Sequence, residues 1–317
     1  MVAELRISVV IATLNRPHSL ANCLKSLEEQ IVAPYEVIVV ADGELTNEVQ
    51  KTIDSVKNNN RLNVVQVNNG RRMGAPYSKN RGSDAATGDI VAFVDDDITL
   101  APDWTIQIIR GYEEHKDAVG VGGMISMQEV YFHNKFYNLF TKYRERLLRK
   151  KRGRMSFIGM PYLSLVTPVD GLLEVDFLHG GNMSFRRDVL ASHKLDESVG
   201  VRDEFDLCVR LSLREKRKLI YNSRAVAYHH HNPVGGLALW GSERLYRDFK
   251  DHIPYLLKNF NLKYLRLAAF TITVFGYSII TLKPKYNWAI VEGLQLHRNR
   301  KSAEMPSAVW GSIERAK

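Results

Sequence analysis

The sequence predicts an α/β fold, a doubly wound and mostly parallel sheet followed by a helical, partly apolar C-terminal extension. Two patterns carry that expectation. Ile7–Thr13 (ISVVIAT), Glu36–Ala41 (EVIVVA), Leu62–Val67 (LNVVQV) and Ile90–Val94 (IVAFV) are short apolar runs rich in β-branched residues. Between them lie Ser19–Gln30, Thr46–Asn58 and Ala75–Ala86, each of helical length and pattern. Strands buried on both faces that alternate with helix-length connections imply βαβ units around a parallel sheet. Composition agrees: 317 residues with 45% hydrophobic and 25% charged side chains exclude wholesale disorder. Two cysteines without a CxxC exclude a disulfide framework and a zinc ribbon.

In chain order, the first helix places Leu20, Cys23, Leu24 and Leu27 on one core-facing stripe, and three crossovers in succession extend the sheet over residues 5–125. From residue 126 the rhythm changes. Tyr131–Leu148 reads as a long aromatic-rich helix that runs into the basic stretch Arg149–Arg154. Glu174–Phe185 reads as a strand, Asp203–Glu215 as a helix and Leu219–Tyr228 as another strand. Beyond His231 the chain reads as helical. This organisation predicts one α/β domain over residues 1–235, in halves 5–125 and 126–235, and a helical extension over 236–317.

Leu267–Leu282 is a stretch of sixteen uncharged residues between Arg266 and Lys283. A membrane span needs roughly 20 apolar residues, and this stretch contains three threonines. It is expected to lie on a membrane surface, and the alternative is a buried helical hairpin. The net charge of +9 favours an anionic partner. The basic residues are not interleaved with aromatics on a recognisable module, so no nucleic-acid partner is expected. Arg149–Arg154 reads either as a contact for anionic lipid headgroups or as a solvated loop. No basic leader precedes the first apolar run and both thiols are expected to be free. The expected location is therefore cytoplasmic, peripheral on the cytoplasmic face of a membrane.

The most informative stretch is Gly88–Asp97, a buried strand that runs directly into Asp95-Asp96-Asp97. Open α/β sheets bind ligands beyond the carboxyl ends of their strands. If the backbone stays extended, Asp95 and Asp97 face one way and Asp96 the other. Two carboxylates held that close call for a cation, and an oxygen-preferring Mg²⁺ or Mn²⁺ suits them. The plain alternative is a solvated acidic loop. Asp203 and Glu204 open a helix, where the dipole favours anions; taken alone they read as capping residues, and the alternative is a general base beside a cleft. Asp206 and Arg210, four apart, read as a structural pair. Tyr228-His229-His230-His231 ends a strand, and alternation puts His229 and His231 on one side, which reads either as one ligand completing a metal site or as a solvated strand end. Gly180-Gly181-Asn182 and Gly235-Gly236 mark places for a close backbone approach or a hinge.

In this order the pieces resemble glycosyltransferase family 2, inverting enzymes of the GT-A fold. The resemblance covers residues 6–260. It rests on Ser8–Arg16 (SVVIATLNR), Val39–Gly43 (VVADG), Lys79-Asn80-Arg81-Gly82, Asp95-x-Asp97, His179-Gly180-Gly181-Asn182, Asp203-Glu204-Phe205-Asp206 and Ala225-x-Ala227-x-His229. It implies that Thr13, Asn15 and Asp42 border the nucleotide base and ribose, with Lys79, Asp95 and Asp96 also on the donor side. Asp95 would contact ribose or metal, Asp97 would bind the metal, and His229 would sit near metal and diphosphate. Gly181 and Asn182 would line the sugar and acceptor region, and Glu204 or Asp203 would be the base. The donor implied is a nucleotide-diphosphate sugar, a UDP-sugar foremost, and the acceptor a glycan or a lipid-linked glycan at an anionic membrane surface. The chain departs from the family pattern in three places: Ala41-Asp42 stands where two acids are usual, Asp203-Glu204 reverses the usual order, and Lys79 stands where Arg is usual. No Gln-x-x-Arg-Trp follows His231, against a processive synthase. Three rivals were weighed: a nucleotidyltransferase, which lacks its Gly-rich signature here; a non-catalytic glycan-binding or assembly subunit; and a nucleic-acid binder.

Overall fold

β-branched residues form the parallel half of the sheet because their stiff side chains pack well on a surface covered on both sides. The strands are β1 (Ile7–Thr13), β2 (Glu36–Ala41), β3 (Val64–Asn68), β4 (Ile90–Asp95), β5 (Ile98–Leu100), β6 (Ala118–Met127), β7 (Leu172–Val175), β8 (Asn182–Arg186) and β9 (Lys218–His229). The structure, a computed structural model, describes residues 5–127, 149–162, 165–230 and 241–302. Its strand order is β3-β2-β1-β4-β8-β6-β9-β5, with β7 paired to β9. β1 lies parallel to β2 and β4, and β2 parallel to β3. In the second half β8 runs antiparallel to β4 and β6, β6 parallel to β9, and β5 and β7 antiparallel to β9. The helices of this unit are α1 (Pro17–Glu28), α2 (Asn47–Asn58), α3 (Ala75–Ala85), α4 (Trp104–Glu114), α5 (Arg187–Ser192) and α6 (Asp203–Val209).

The core follows the sequence pattern. Val9, Ile11, Val37, Val39, Ala92 and Val94 are fully buried with Leu20, Cys23, Leu24 and Leu27 of α1. Each such large side chain contributes about 1.5–3 kcal/mol relative to exposure. Gly82 lets α3 lie close, since a Cβ there would come within 2.3 Å of Val10 Cγ1. At the amino ends of the strands, buried Glu36 accepts hydrogen bonds from Ser8 Oγ (2.6 Å), the Thr87 amide (2.7 Å) and Thr87 Oγ1 (2.9 Å). Burial raises its pKa, but these donors outweigh that and hold it below the ordinary value.

Several expectations change. Glu174–Phe185 is not one strand. β7 pairs with β9, whereas β8 pairs with β4 and β6, so the chain has to leave the ladder between them. The Asp176 carboxylate secures the departure by accepting from the Met155 amide (2.8 Å) and Arg154 (2.9 Å). The helix expected over 203–215 is α-helical to Val209 and then widens into a π turn over Arg210–Arg214. The basic stretch is not a free loop. Arg152 is buried and donates to Thr167 O, Arg154 pairs with Asp176 and Glu174, and Lys151 lies over the Tyr162 ring. Tyr131–Leu148, His231 and Gly235-Gly236 fall outside the described residues.

A second compact unit comprises, among the described residues, 157–159, 198–202 and 241–302. It is built on α7 (Gly241–Asn259), α8 (Lys263–Thr281) and α9 (Lys285–Ser302). Phe249 of α7 meets Phe270 and Tyr277 of α8 and Tyr286 of α9 edge-on, at 6.0, 6.0 and 5.6 Å between ring centroids. Buried His252 hydrogen-bonds Ile158 O through Nε2 (2.7 Å), and burial lowers its pKa to about 3.

Asn182 ties the second half of the sheet together. It is wholly buried, with Nδ2 donating to Met124 O (3.1 Å) and Ala225 O (2.9 Å) and Oδ1 accepting from Trp104 Nε1 (2.8 Å). Each buried polar group left without a partner costs about 1–3 kcal/mol. Asn182→Ala strands three such groups and is expected to lower unfolding stability by at least about 3 kcal/mol in urea titration. A loss below about 1 kcal/mol would mean that water replaces the amide.

Candidate active site

The strand order reverses between β1 and β4. The chain runs from β1 to β2 to β3 on one side, then returns to place β4 on the other side of β1. Helices leave in opposite directions at such a switch point, opening a crevice beyond the carboxyl ends of the strands. Thr13 and Asp95 end those two strands.

Beyond Asp95 the backbone turns at Asp96–Asp97 before resuming as β5. This changes the expected pairing of the acids, because alternation holds only while the chain stays extended. Asp96 is buried against β1, where Thr13 Oγ1 donates to its Oδ2 (2.7 Å). The Arg16 guanidinium bridges Asp96 Oδ1 and Asp97 Oδ2, both at 3.0 Å. Asp97 also faces His229, whose Nε2 lies 3.3 Å from its Oδ1. The end of β9 is held there by backbone: the His230 amide donates to Asp97 O (2.8 Å), while its ring hydrogen-bonds Thr99 Oγ1 (2.7 Å). Burial pushes Asp96 up to about 6, with Thr13 and Arg16 acting against it. Burial also raises Asp97, but His229 and Arg16 outweigh it and hold Asp97 below the ordinary value.

Asp95 turns elsewhere. Lys79 of α3 is buried and reaches Asp95 Oδ1 (3.0 Å) and Gly180 O (3.1 Å). The backbone at 180–181 lies against two carboxylates, closely enough at 181 to require glycine there. A Cβ on Gly181 would meet Asp95 Oδ2 at 2.8 Å, and one on Gly180 would meet Glu204 Cδ at 3.4 Å. Asp203 and Glu204 open α6 side by side. Burial raises Glu204 well above the ordinary value, Asp203 adds to this, and Lys79 opposes it. Burial raises Asp203 as well, again opposed by Lys79. For Lys79 itself burial works against the charged form, but Asp95, Asp203 and Glu204 prevail and its pKa is raised.

The sequence-predicted residues therefore divide. Thr13, Lys79, Asp95, Asp96, Asp97, Gly181, Asp203, Glu204 and His229 gather at the switch point, in the contacts just given. Asp42 is buried and its carboxylate is engaged by the loop before α3, accepting from the amides of Met73 (2.7 Å) and Gly74 (2.9 Å) and from Asn69 Nδ2 (3.2 Å). Asn15 is exposed, with φ 51°, and accepts from Thr46 Oγ1 (3.2 Å). Asn182, expected to line the sugar and acceptor region, is instead wholly buried and its amide is used up within the fold. Asp206 is fully buried against Arg210 (2.9 Å), the structural pair that the i,i+4 spacing suggested. Sequence reasoning missed Arg16 as a member of the acid cluster, and its only signal was its place just beyond β1.

Among the described residues no group of three or more His, Cys, Asp or Glu side chains is arranged to hold a metal ion alone. Asp97 and His229 offer one oxygen and one nitrogen donor side by side. That pair fits an ion that takes its remaining ligands from substrate phosphates and water, the habit of Mg²⁺ at nucleotides.

The sequence profile described as glycosyl transferase family 2 matches residues 8–193. A glucosyl-dolichyl phosphate glucuronosyltransferase of Haloferax volcanii is 28% identical over 243 residues, 71% of this chain and 69% of that protein. A GalNAc(5)-diNAcBac-PP-undecaprenol β-1,3-glucosyltransferase of Campylobacter jejuni is 28% identical over 95 residues, 30% of each chain. Among solved structures, the mannosyltransferase PcManGT of Pyrobaculum calidifontis, in complex with GDP-Man and Mn²⁺, superposes with TM-score 0.58 at 16% identity, covering 96% of this chain and 77% of that one. S. aureus TarS 1–349 with UDP-GlcNAc gives 0.58 at 17% identity, covering 93% and 82%. These likenesses establish the GT-A fold. Because the profile match takes in more than half of the chain, including the strands whose ends carry the acids, the chain belongs to glycosyl transferase family 2.

Proposed function

We propose that the protein is an inverting, metal-dependent glycosyltransferase that moves a sugar from a nucleotide-diphosphate donor, a UDP-sugar foremost, to a hydroxyl of a lipid-linked glycan on the cytoplasmic face of a membrane. The observation that carries the proposal is the juxtaposition at the switch point: the Asp97–His229 pair lies on one side of the Asp95 turn, and Glu204 lies against the Gly180-Gly181 backbone on the other. The solved neighbours hold GDP-Man with Mn²⁺ and UDP-GlcNAc, and two relatives are named for dolichyl- and undecaprenol-linked substrates, which supports the choice of donor and acceptor class.

In this reading Glu204 takes the proton of the acceptor hydroxyl as that oxygen attacks the anomeric carbon. The bond from that carbon to the diphosphate oxygen breaks, its electron pair leaves with the phosphate, and the centre inverts. Glu204 suits the role better than Asp203, because it is only half-buried while Asp203 is buried. A base whose pKa is raised accepts a proton more readily once ionised. Lys79 holds Asp95 against the Gly180-Gly181 backbone and limits how far the pKa of Glu204 rises. Asp97 and His229 would hold Mg²⁺ or Mn²⁺, which when bound neutralises charge on the leaving diphosphate. Alignment of donor, acceptor and base supplies a large part of such catalysis, up to about 7–11 kcal/mol.

Three outcomes are expected. Thermal unfolding against nucleoside diphosphates should show a Mn²⁺-dependent stabilisation by one of them, about 2.7 kcal/mol at a hundred times its Kd. The Mn²⁺-dependent part should vanish in Asp97→Ala, and its persistence there would remove Asp97 from the metal site. A flat response to every diphosphate would favour a non-catalytic member of the family. Glu204→Gln should keep that stabilisation and cut transfer at least about a hundredfold. Should Asp203→Asn do this instead, the base is Asp203.

The pH dependence has a defined sign. The raised pKa of Glu204 means that the active carboxylate is lost as pH falls through a value above the usual carboxylate range. The acid limb of kcat/KM should therefore lie above that range. It should move higher still in Lys79→Met, which removes the cation that lowers Glu204. A limb that stays in place in that variant would mean that another group controls it.

A further inference from the structure

α8 carries two apolar faces, and only one is used. Phe270, Val274 and Ser278, four residues apart, are buried. On the other side Leu265 is exposed, and Ile272, Phe275, Ile279 and, just past the helix end, Leu282 follow one another at three- and four-residue steps, from 55% exposed at Phe275 to 86% at Leu282. A surface helix normally turns polar residues outward, so a continuous exposed apolar stripe marks a contact surface.

The charge of the same segment identifies its partner. Residues 252–291 contain Lys258, Lys263, Arg266, Lys283 and Lys285 and no Asp or Glu. Lys258 and Lys283 are exposed, and Lys263 joins Tyr264, Leu267 and Leu294 in lining a cleft of ≈ 510 Å³. Tyr264 and Trp288, in the opening turns of α8 and α9, are 70% and 65% exposed. Exposed aliphatic groups, a surplus of cations that remains although Lys285 pairs with Glu243 of α7, and exposed Tyr and Trp are what an anionic bilayer interface accepts.

We propose that the outward face of α8 docks on an anionic lipid bilayer, lying in the headgroup and upper acyl region parallel to the membrane plane. The proposal rests on the lipid-linked-acceptor reading for its choice of a membrane and adds the surface that makes the contact. At 19 residues and a mean hydropathy of 1.3, α8 is long and apolar enough to cross a bilayer by length and composition. Its inner face argues against crossing. Phe270 and Tyr277 pack on Phe249 of α7, which carries Glu243, Arg244, Arg247, Asp248, Lys250 and Asp251. A spanning α8 would draw those charges into hydrocarbon, where they are expensive. An in-plane α8 leaves them in water.

The test is site-specific labelling of the full chain. Cys23 and Cys208 are buried, so a cysteine introduced at Ile272 or Ile279 takes a polarity-sensitive fluorophore selectively. Ile31, 68% exposed in the other unit, is the control position. With vesicles of phosphatidylcholine and phosphatidylglycerol, both α8 labels should shift to the blue and the control should not. Quenching should come from lipids spin-labelled near the headgroup, and binding should weaken in high salt or in phosphatidylcholine alone. The double variant Ile272→Asp, Phe275→Asp should lose vesicle partitioning at least about tenfold while its melting temperature and its nucleoside-diphosphate response stay unchanged. Because donor binding is read separately, failure here is distinct from failure of the transferase reading. Absence of a blue shift, quenching only from the bilayer centre, equal binding to neutral vesicles, or a label shielded by a concentration-dependent dimer without lipid would each overturn the proposal.

Discussion

Five carboxylates converge on the ends of β4 and α6, and the arrangement depends on the cations that hold them there. Two unit charges about 4 Å apart interact by about 4 kcal/mol at the effective dielectric of a protein surface. Asp95, Asp96 and Asp97 in succession would therefore drive the strand end apart if left uncompensated. Arg16 joins Asp96 to Asp97, and Lys79 takes Asp95 from the opposite side while moderating Asp203 and Glu204. His229 completes the set at Asp97. The rise of Asp96 to about 6 measures the burial that Thr13 and Arg16 do not fully offset. Strand order, the turn at Asp96–Asp97 and the glycine at 181 all serve to bring these opposite charges within reach.

Much of this was legible from local pattern. β1, β2 and β4 stand where β-branched runs predict them, and the stripe Leu20, Cys23, Leu24 and Leu27 faces the core as its period requires. The Asp-x-Asp at a strand end pointed to the candidate site, because doubly wound sheets leave their crevice there. The failures share a cause, which is that they were set by distant partners. Nothing local to Glu174–Phe185 announces that its two ends pair with different strands. The turn that parts Asp97 from Asp95 follows from β5 pairing with β9 more than a hundred residues later, with Ile98 opposite His229. Arg16 escaped notice because a lone cation after a strand carries no periodicity. Its role exists only once β1 and β4 are side by side.

Polar residues in family-like motifs also proved to be of two kinds, and burial separates them. Asn182 and Asp42 have their hydrogen-bonding capacity absorbed by backbone and by Trp104, so they shape the crevice through the fold. Glu204 and Asp95 keep partial exposure beside a glycine backbone that approaches them closely. A motif read from sequence merges these classes, since the residue that holds a loop and the residue that touches a ligand sit in the same short string.

The same distinction applies to charge. The net +9 invites one explanation, and the basic stretch Arg149–Arg154 looks like its centre, yet Arg152 and Arg154 are drawn into the fold by Thr167, Asp176 and Glu174. The excess that bears on a surface is the quieter one in residues 252–291, where five cations and no acid lie in the sequence beside an exposed apolar stripe, with Lys285 paired to Glu243 of the neighbouring helix. An anionic interface responds to cations that remain available and to apolar area it can cover, and neither quantity is a sum over the sequence. A stripe repeating at three- and four-residue steps on the face opposite a buried one is costly to leave in water. That asymmetry ties α8 to a partner more firmly than the chain's total charge does.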